Sequence, residues 1–417
     1  MSGLNIKRLF ANDIVINIIW LVLEKLYFII LVFLCEGLIS RTLGVSDYGK
    51  WIYAINTIII ISSIALVAGS EVMVPALSKH KKIVGELLSS AFIIRMLGAL
   101  TSFFFINIYI FFAIKDEVLQ QMLMSLSLIL LFNEPFGVIT NYCQSRINMK
   151  GIVLARCVSL GVRTIFVLVS FKLLDNKLIY FSRAAESISL AIILTILFLS
   201  YKIKIKLSKK IILIIFNRGI SFWLPLICMM IYFRVDRYFV EKYFSYDTLA
   251  MYGVAVQFIE QAFLLIVIII QSISPRYIFP ILSKRDLIEN IKKITLILFL
   301  VVIFMQVFSY LFLPFIITLV FGHEYFNAGQ IAVTLLPSLL FYAIDSILMQ
   351  VLYKDKNAIA ILFKWLSMMM ISCSLYYVWY GLLSEMNMAM IFNINYVIMT
   401  AITFLFVKKG LKVRDYD

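Results

Sequence analysis

Residues 294–320, ITLILFLVVIFMQVFSYLFLPFIITLV, run without a charged side chain. An α-helix needs ~20 consecutive apolar residues to cross the hydrocarbon core of a bilayer, and this chain carries such stretches from end to end. Candidate spans lie near 14–40, 51–70, 85–114, 118–142, 151–174, 178–201, 210–233, 249–274, 294–320, 328–353, 358–383 and 386–407. Composition agrees: 63% of the 417 residues are hydrophobic and 15% are charged. A soluble domain is about half apolar and about a quarter charged. The blocks lack the two-residue alternation of an outer-membrane barrel, so helices are the spanning elements. The expected fold is all-α integral membrane, with about 12 transmembrane helices. No connector is long enough to hold a soluble domain; the longest covers 275–293.

Orientation follows from the placement of Lys and Arg, which concentrate in cytoplasmic connectors. With the N-terminus inside, 23 of the 38 basic residues fall in inside segments and 8 in outside ones. Both termini are expected in the cytoplasm. The net charge of +15 is mostly this signal, so no nucleic-acid partner is needed to explain it.

The stretch GVSDYGKW (44–51) mimics the start of a nucleotide-binding P-loop, G-x-x-x-x-G-K. Trp51 stands where the magnesium-binding hydroxyl would be, no strand–helix unit surrounds it, and it faces away from the cytoplasm. It reads as a turn, with Gly44 and Gly49 as breakers and Asp47 as a helix cap.

Charges inside spans are where chemistry is sought, because burying one in lipid costs at least ~2.5 kcal/mol. Arg156 and Arg163, seven apart, share a face of one span. Glu24 and Lys25, Arg163 and Glu260 lie near mid-membrane; Arg95 and Arg218 are shallower. Gln257, Glu260 and Gln261 form one polar stripe, and Tyr342, Asp345, Ser346 and Gln350 another. Asn133-Glu134-Pro135 marks a kink. Simpler readings exist for several of these. Arg156 and Lys364 are close enough to a span end to snorkel, Arg183 and Glu186 are spaced to pair, and Arg234, Asp236 and Arg237 suit a clasp at a helix end. Arg163, Arg95, Lys25 and Glu260 also have packing ion pairs as an alternative role.

His80 and His323 are far apart and the five cysteines show no C-x-x-C, so neither a catalytic centre nor a metal site is expected. The first apolar block is too long for a cleavable signal peptide and lacks an A-x-A site. GKWIYA (49–54) after the first span matches AMYGVA (250–255) after the seventh. Two related six-helix halves explain the match, with chance similarity between apolar sequences as the competing reading, and transporters often bind substrate where such halves meet. The expected division is 1–201, 202–407 and a basic cytoplasmic tail, 408–417, with its break in YKIKIKLSKK (201–210).

SRTLGVSDYGKWIYA resembles the first extracellular turn of the polysaccharide flippases (O-antigen, Wzx-type) in the multidrug/oligosaccharidyl-lipid/polysaccharide exporter superfamily. FRVDRYFV (233–240), SPRYIFPILSK (274–284) and FGHEYFNAGQIAVTLLPSLLF (321–341) resemble three later stretches of that group, in the same order. The resemblance implies a polyprenyl-diphosphate-linked oligosaccharide carried from the cytoplasmic to the outer leaflet of the bacterial inner membrane by alternating access. It implies no enzyme and no cofactor, with H+ or Na+ as a coupling ion. Membrane lipid and other polysaccharide-assembly membrane proteins are the implied partners. A diphosphate needs several cations, since one Arg at 4 Å returns about 4 kcal/mol at an effective dielectric of 20. The substrate-binding candidates are Lys25, Arg95, Arg156, Arg163, Arg218, Gln257 and Gln261; the ion-coupling candidates are Glu24, Glu260 and Asp345. A polysaccharide polymerase or ligase would need a large external loop, and a drug/cation antiporter fits poorly with the cationic bias. A lipid II flippase resembles fourteen-span chains, two spans more than this one.

Overall fold

The computed structural model describes residues 13–173, 175–281, 283–355, 358–379 and 385–413. Within them the chain is helical, with no strand. The helices are α1 (Asp13–Ser62), α2 (Ser70–Lys79), α3 (Val84–Ala113), α4 (Glu117–Phe132), α5 (Gly137–Ser145), α6 (Lys150–Leu173), α7 (Asn176–Ser200) and α8 (Lys209–Tyr232), followed by α9 (Val235–Tyr243), α10 (Tyr246–Tyr277), α11 (Lys284–Phe321), α12 (Phe326–Leu335), α13 (Ser338–Lys354), α14 (Ala358–Trp379) and α15 (Glu385–Val413).

At 1.5 Å per residue α1 would measure about 75 Å, more than twice a bilayer core. It is broken at Gly44, whose φ of 76° and ψ of 171° belong to a region that glycine alone enters readily. The connector expected over 41–50 therefore shrinks to this one-residue break, and helix resumes at once. Ten helices among the described residues are long and apolar enough to cross a membrane, eleven if the pair His323–Leu335 and Ser338–Lys354, bent by 48°, is one span. The first of these runs through Gly44, and the described parts of the twelve apolar blocks fall on these helices or on the bent pair. The span near 118–142 breaks between α4 and α5, where Asn133-Glu134-Pro135 lies.

The chain divides into two compact units. Unit 1 joins the residues up to Leu43 with Ala54–Trp223; unit 2 joins Gly44–Tyr53 with the chain from Leu224 onward. The division thus falls inside α8, and the connector 201–210 lies wholly within unit 1.

In unit 1, α6 packs along α7, α4 against both α3 and α7, and α2 against α5. The packing is inside-out relative to a soluble protein. Along α3 the buried column includes Leu87, Ala91, Ala99, Ser102, Ile106 and Ile110, at helical spacing, while Leu97, Leu100, Phe104, Ile108 and Phe111 are exposed. Small residues bring backbones together, as membrane helix interfaces require: Ser102 Oγ donates to the Ile61 carbonyl at 3.2 Å. The exposed Phe and Leu side chains face lipid, since contiguous apolar surface of this extent marks a membrane contact.

In unit 2, α10 and α11 pack on α12, α13 packs on α15, and α9 lies against α10 and α14. Residues 44–53 belong to this core. Trp51 and Tyr48 are fully buried, the Tyr48 ring meets those of Phe321 and Tyr325, and a Cβ on Gly49 would lie 1.9 Å from the Tyr246 carbonyl oxygen. Lys50 pairs with Asp47 at 3.1 Å. The residues that mimic a P-loop are packing residues with a local ion pair.

Candidate functional site

Within the apolar helices of the described residues, polar side chains close on one another at two places in each unit. They line an open cavity at a third place in unit 1. The first in unit 1 is built on α1, α6 and α7. Arg163 donates to Glu36 Oε1 at 2.5 Å, Arg183 donates to the same oxygen at 2.7 Å, and Arg163 Nη1 lies 3.6 Å from Glu186. Arg163 and Glu36 are each 2% exposed. Two carboxylates face two guanidiniums, and charge-assisted bonds of this length are the strong kind. Arg163 is thereby sealed among acids rather than facing an open cavity, which corrects the expectation of a substrate-facing arginine. Arg156, seven residues earlier, is half-buried.

Arg95 on α3 is also buried, and its hydrogen-bond partners are backbone carbonyls. Nε and Nη2 donate to the Ala68 carbonyl at 2.9 and 2.7 Å, and Nη1 donates to the Glu134 carbonyl at 3.0 Å. The Glu134 carboxylate stands 3.9 Å away. Helix ends leave carbonyls without intrahelical donors, and Arg95 satisfies that of Ala68, the last residue of the short helix Ser63–Ala68. It cross-links the unit.

Arg218, on the first half of α8, has the opposite environment. It is exposed and lines a cavity of about 540 Å3 with Glu71, Pro75, Lys79, His80 and Ser221. Lys79 and His80 end α2, where basic groups suit the helix dipole. This open polar cavity of unit 1 holds a cation singled out in the sequence.

In unit 2, Glu260 on α10 accepts from Arg234 at 3.0 Å and from Arg237 at 2.7 Å, while Asp236 accepts from Tyr252 at 2.9 Å. The clasp expected among residues 234, 236 and 237 thus closes on Glu260. Gln257 and Gln261 are half-buried on the same helix, and Gln261 Oε1 is buried without a hydrogen-bond partner. The fourth group is Asp345, whose oxygens accept from Lys364 at 2.8 and 2.7 Å and from Thr403 at 2.5 Å. Lys364 is 0% exposed, so it is held by a carboxylate in the core and does not snorkel. Phe263 stacks on Tyr342 at 4.0 Å and meets Tyr396 nearby. The side chains of Glu24 and Lys25 lie outside the described residues. Among the described residues no group of His, Cys, Asp and Glu is arranged to hold a metal ion.

Sequence reasoning missed Glu36 and underweighted Lys364. A usable signal existed for the second. Asp345 and Lys364 carry opposite charges on consecutive spans, which an antiparallel arrangement can bring together. Arg163 and Glu186 likewise lie on consecutive helices, each about ten residues from the end that faces the other helix.

A family profile described as polysaccharide biosynthesis protein matches residues 38–330. The chain belongs to this family. No curated protein sequence matches it. Its fold is similar to that of the inward-facing conformation of a multidrug resistance MATE family transporter of the MOP superfamily (TM-score 0.70, 12% identity, covering 94% of this chain and 95% of that one). It is also similar to a lipid II flippase, MurJ, in an inward closed conformation (0.72, 16%, 94% and 87%), and to a MOP superfamily transporter from Pyrococcus furiosus (0.67, 13%, 99% and 99%). This member of the polysaccharide biosynthesis family therefore has the all-α multi-pass membrane fold of the MOP superfamily, in agreement with the flippase resemblance of its sequence.

Proposed function

We propose that the protein is a flippase. It moves a polyprenyl-diphosphate-linked oligosaccharide, an O-antigen-type repeat unit, from the cytoplasmic to the outer leaflet of the bacterial inner membrane by alternating access. The observation that carries this reading is the family match over residues 38–330 in a chain whose fold is shared with a lipid II flippase. The orientation is N- and C-termini in the cytoplasm, with two related six-helix halves.

Local chemistry supports the reading at one place. A diphosphate loses tens of kcal/mol of solvation in hydrocarbon, so its carrier must offer grouped cations in an open, wet cavity. Arg218 and Lys79 do so, with His80 on the same wall. The guanidinium presents a planar fork suited to two phosphate oxygens, and Lys79 adds a point charge. Glu71 on the same wall keeps the site from trapping its ligand permanently, which a carrier must avoid. Glu260 and Asp345 are the coupling carboxylates in this scheme, with H+ or Na+ competing against the cations that hold them.

Complementation tests the proposal. In a strain lacking its own flippase, this chain should restore surface polysaccharide, and Arg218→Ala should fail to do so at normal protein abundance. Restoration of drug tolerance without surface polysaccharide would instead identify a drug/cation antiporter. Polymer growth without translocation of the repeat unit would identify a polymerase or ligase.

A further inference from the structure

The connector YKIKIKLSKK (201–210) does more than join α7 to α8. Lys202 adopts the left-handed conformation, φ 51°, which turns the chain out of α7, and residues 203–208 then run without helix. An extended chain sends alternate side chains to opposite sides. Ile203 packs against the buried cluster that contains Val84, Leu87 and Leu88. Ile205 and Leu207 form part of the wall of a cavity of about 300 Å3, otherwise lined mainly by Leu88, Phe92, Phe136 and Phe198. The strap is fastened to α3, where Ser89 Oγ donates to the Lys206 carbonyl at 2.5 Å.

Interleaved with and flanking Ile205 and Leu207 in the chain are Lys202, Lys204, Lys206, Lys209 and Lys210, all exposed. Neighbouring turns enlarge the positive surface. Lys81 and Lys82 directly precede α3, and Ser78 bonds the Ser145 carbonyl at 3.4 Å, which brings Arg146 to the same end of the unit. The first turn of α3 contributes one acid, Glu86. A cluster of four to eight basic residues at the end of a membrane helix attracts anionic lipid, and a cavity lined by Leu, Ile and Phe takes hydrocarbon.

We propose that this end of unit 1 binds an anionic diacyl phospholipid, with an acyl chain beneath Ile205 and Leu207 and the headgroup phosphate among the strap lysines. A soluble anion would leave the cavity unused, and a neutral lipid would leave the lysines unused. The polar side chains on the cavity wall, Ser89 and Thr195, already donate to backbone carbonyls, so the wall offers little to a sugar. The cavity shares no lining residue with that of Arg218, and the inference does not rest on the flippase reading.

Native mass spectrometry and equilibrium binding on the purified full-length protein test it, using phosphatidylglycerol and phosphatidylcholine of identical acyl chains. Phosphatidylglycerol should bind at least about tenfold more tightly, and less tightly as salt screens the lysines. Changing Lys202, Lys204 and Lys206 together to Gln should weaken it about 100-fold, at roughly fivefold per lysine, with an unchanged melting temperature in detergent. Thr195→Phe, which fills the cavity while keeping every charge, should also weaken it; Lys206→Glu serves as a single-site check if either variant folds poorly. Equal binding of the two lipids, or binding unaffected by these changes, overturns the proposal. So does displacement of phosphatidylglycerol by polyprenyl phosphate at lower concentration, which would assign the site to a substrate tail.

Discussion

Arg163 and Arg218 lie in the same unit, inside apolar blocks, and from sequence they are the same kind of residue. The structure separates them completely. Arg163 is buried and satisfied by Glu36 and Glu186, whereas Arg218 is exposed in an open cavity beside two other basic residues. An intramembrane arginine is costly in either place, and there are two ways to meet that cost. One is a permanent carboxylate partner within the protein; the other is water, with an anion arriving from outside. The first holds helices together, and the second leaves the charge available for binding.

The largest effect should follow from breaking the closed cluster. Glu36→Ala removes the carboxylate that both Arg163 and Arg183 bond, and removing one partner of a buried pair costs about 3–5 kcal/mol. The expected outcome is a steep fall in melting temperature and in membrane abundance. Arg163→Ala should do the same, and replacing Glu36 and Arg163 together by apolar residues of similar size should recover most of the loss, since matched apolar replacements are often neutral. Arg163→Lys keeps the charge but not the fork that spans two acids, so it should fall between. An Arg163→Ala protein that is abundant, stable and unable to support transport would erase the contrast and return Arg163 to the substrate site.

The same contrast explains what was legible beforehand. Hydropathy and the positions of Lys and Arg defined the spans because lipid imposes one rule on every helix, and family-like turns pointed to the fold. Whether a charge is sealed or open depends on what stands across from it, and that lies outside any local pattern. Glu36 was overlooked because it sits near the end of the first apolar block, where an acid passes for an interfacial residue. The helix continues to the break at Gly44, and the neighbours on α6 and α7 bury it. The partners of Arg95 are the carbonyls of Ala68 and Glu134, which no side-chain pattern records. The pair of Asp345 and Lys364 was only partly readable, because adjacent antiparallel spans bring opposite charges near one another without fixing their depth.

An intermediate effect is expected at Arg95, whose main partners are backbone oxygens rather than acids. Arg95→Ala deprives the carbonyls of buried Ala68 and half-buried Glu134 of donors, and each loss of a buried partner costs about 1–3 kcal/mol. Water entering the space left by the side chain offsets part of this. Thermal unfolding in detergent should show a clear loss, smaller than for Glu36→Ala. Arg95→Lys should recover little of it, because one ammonium cannot reach both carbonyls as the fork does. A loss as large as that of Glu36→Ala would mean that the Glu134 carboxylate at 3.9 Å is the true partner, and the distinction between charge and backbone satisfaction would fail.

The smallest effect on stability belongs to Arg218. Substitutions at exposed sites without special contacts usually change stability by no more than about 0.5 kcal/mol, so Arg218→Ala should melt like the parent. Its expected consequence is functional. Surface polysaccharide should be lost while abundance holds, and inorganic diphosphate, which slightly stabilises the parent by binding its folded state, should no longer raise the melting temperature. Lys79→Ala should weaken that stabilisation without abolishing it, since a point charge contributes less than a two-pronged contact. Glu71→Gln tests the cavity from the opposite side. Removing the one carboxylate on its wall should strengthen diphosphate binding and slow turnover, because a carrier that holds its cargo more tightly releases it more slowly. If Glu71→Gln leaves both quantities unchanged while Arg218→Ala unfolds the protein, the arginine is another packing residue and the cavity is incidental.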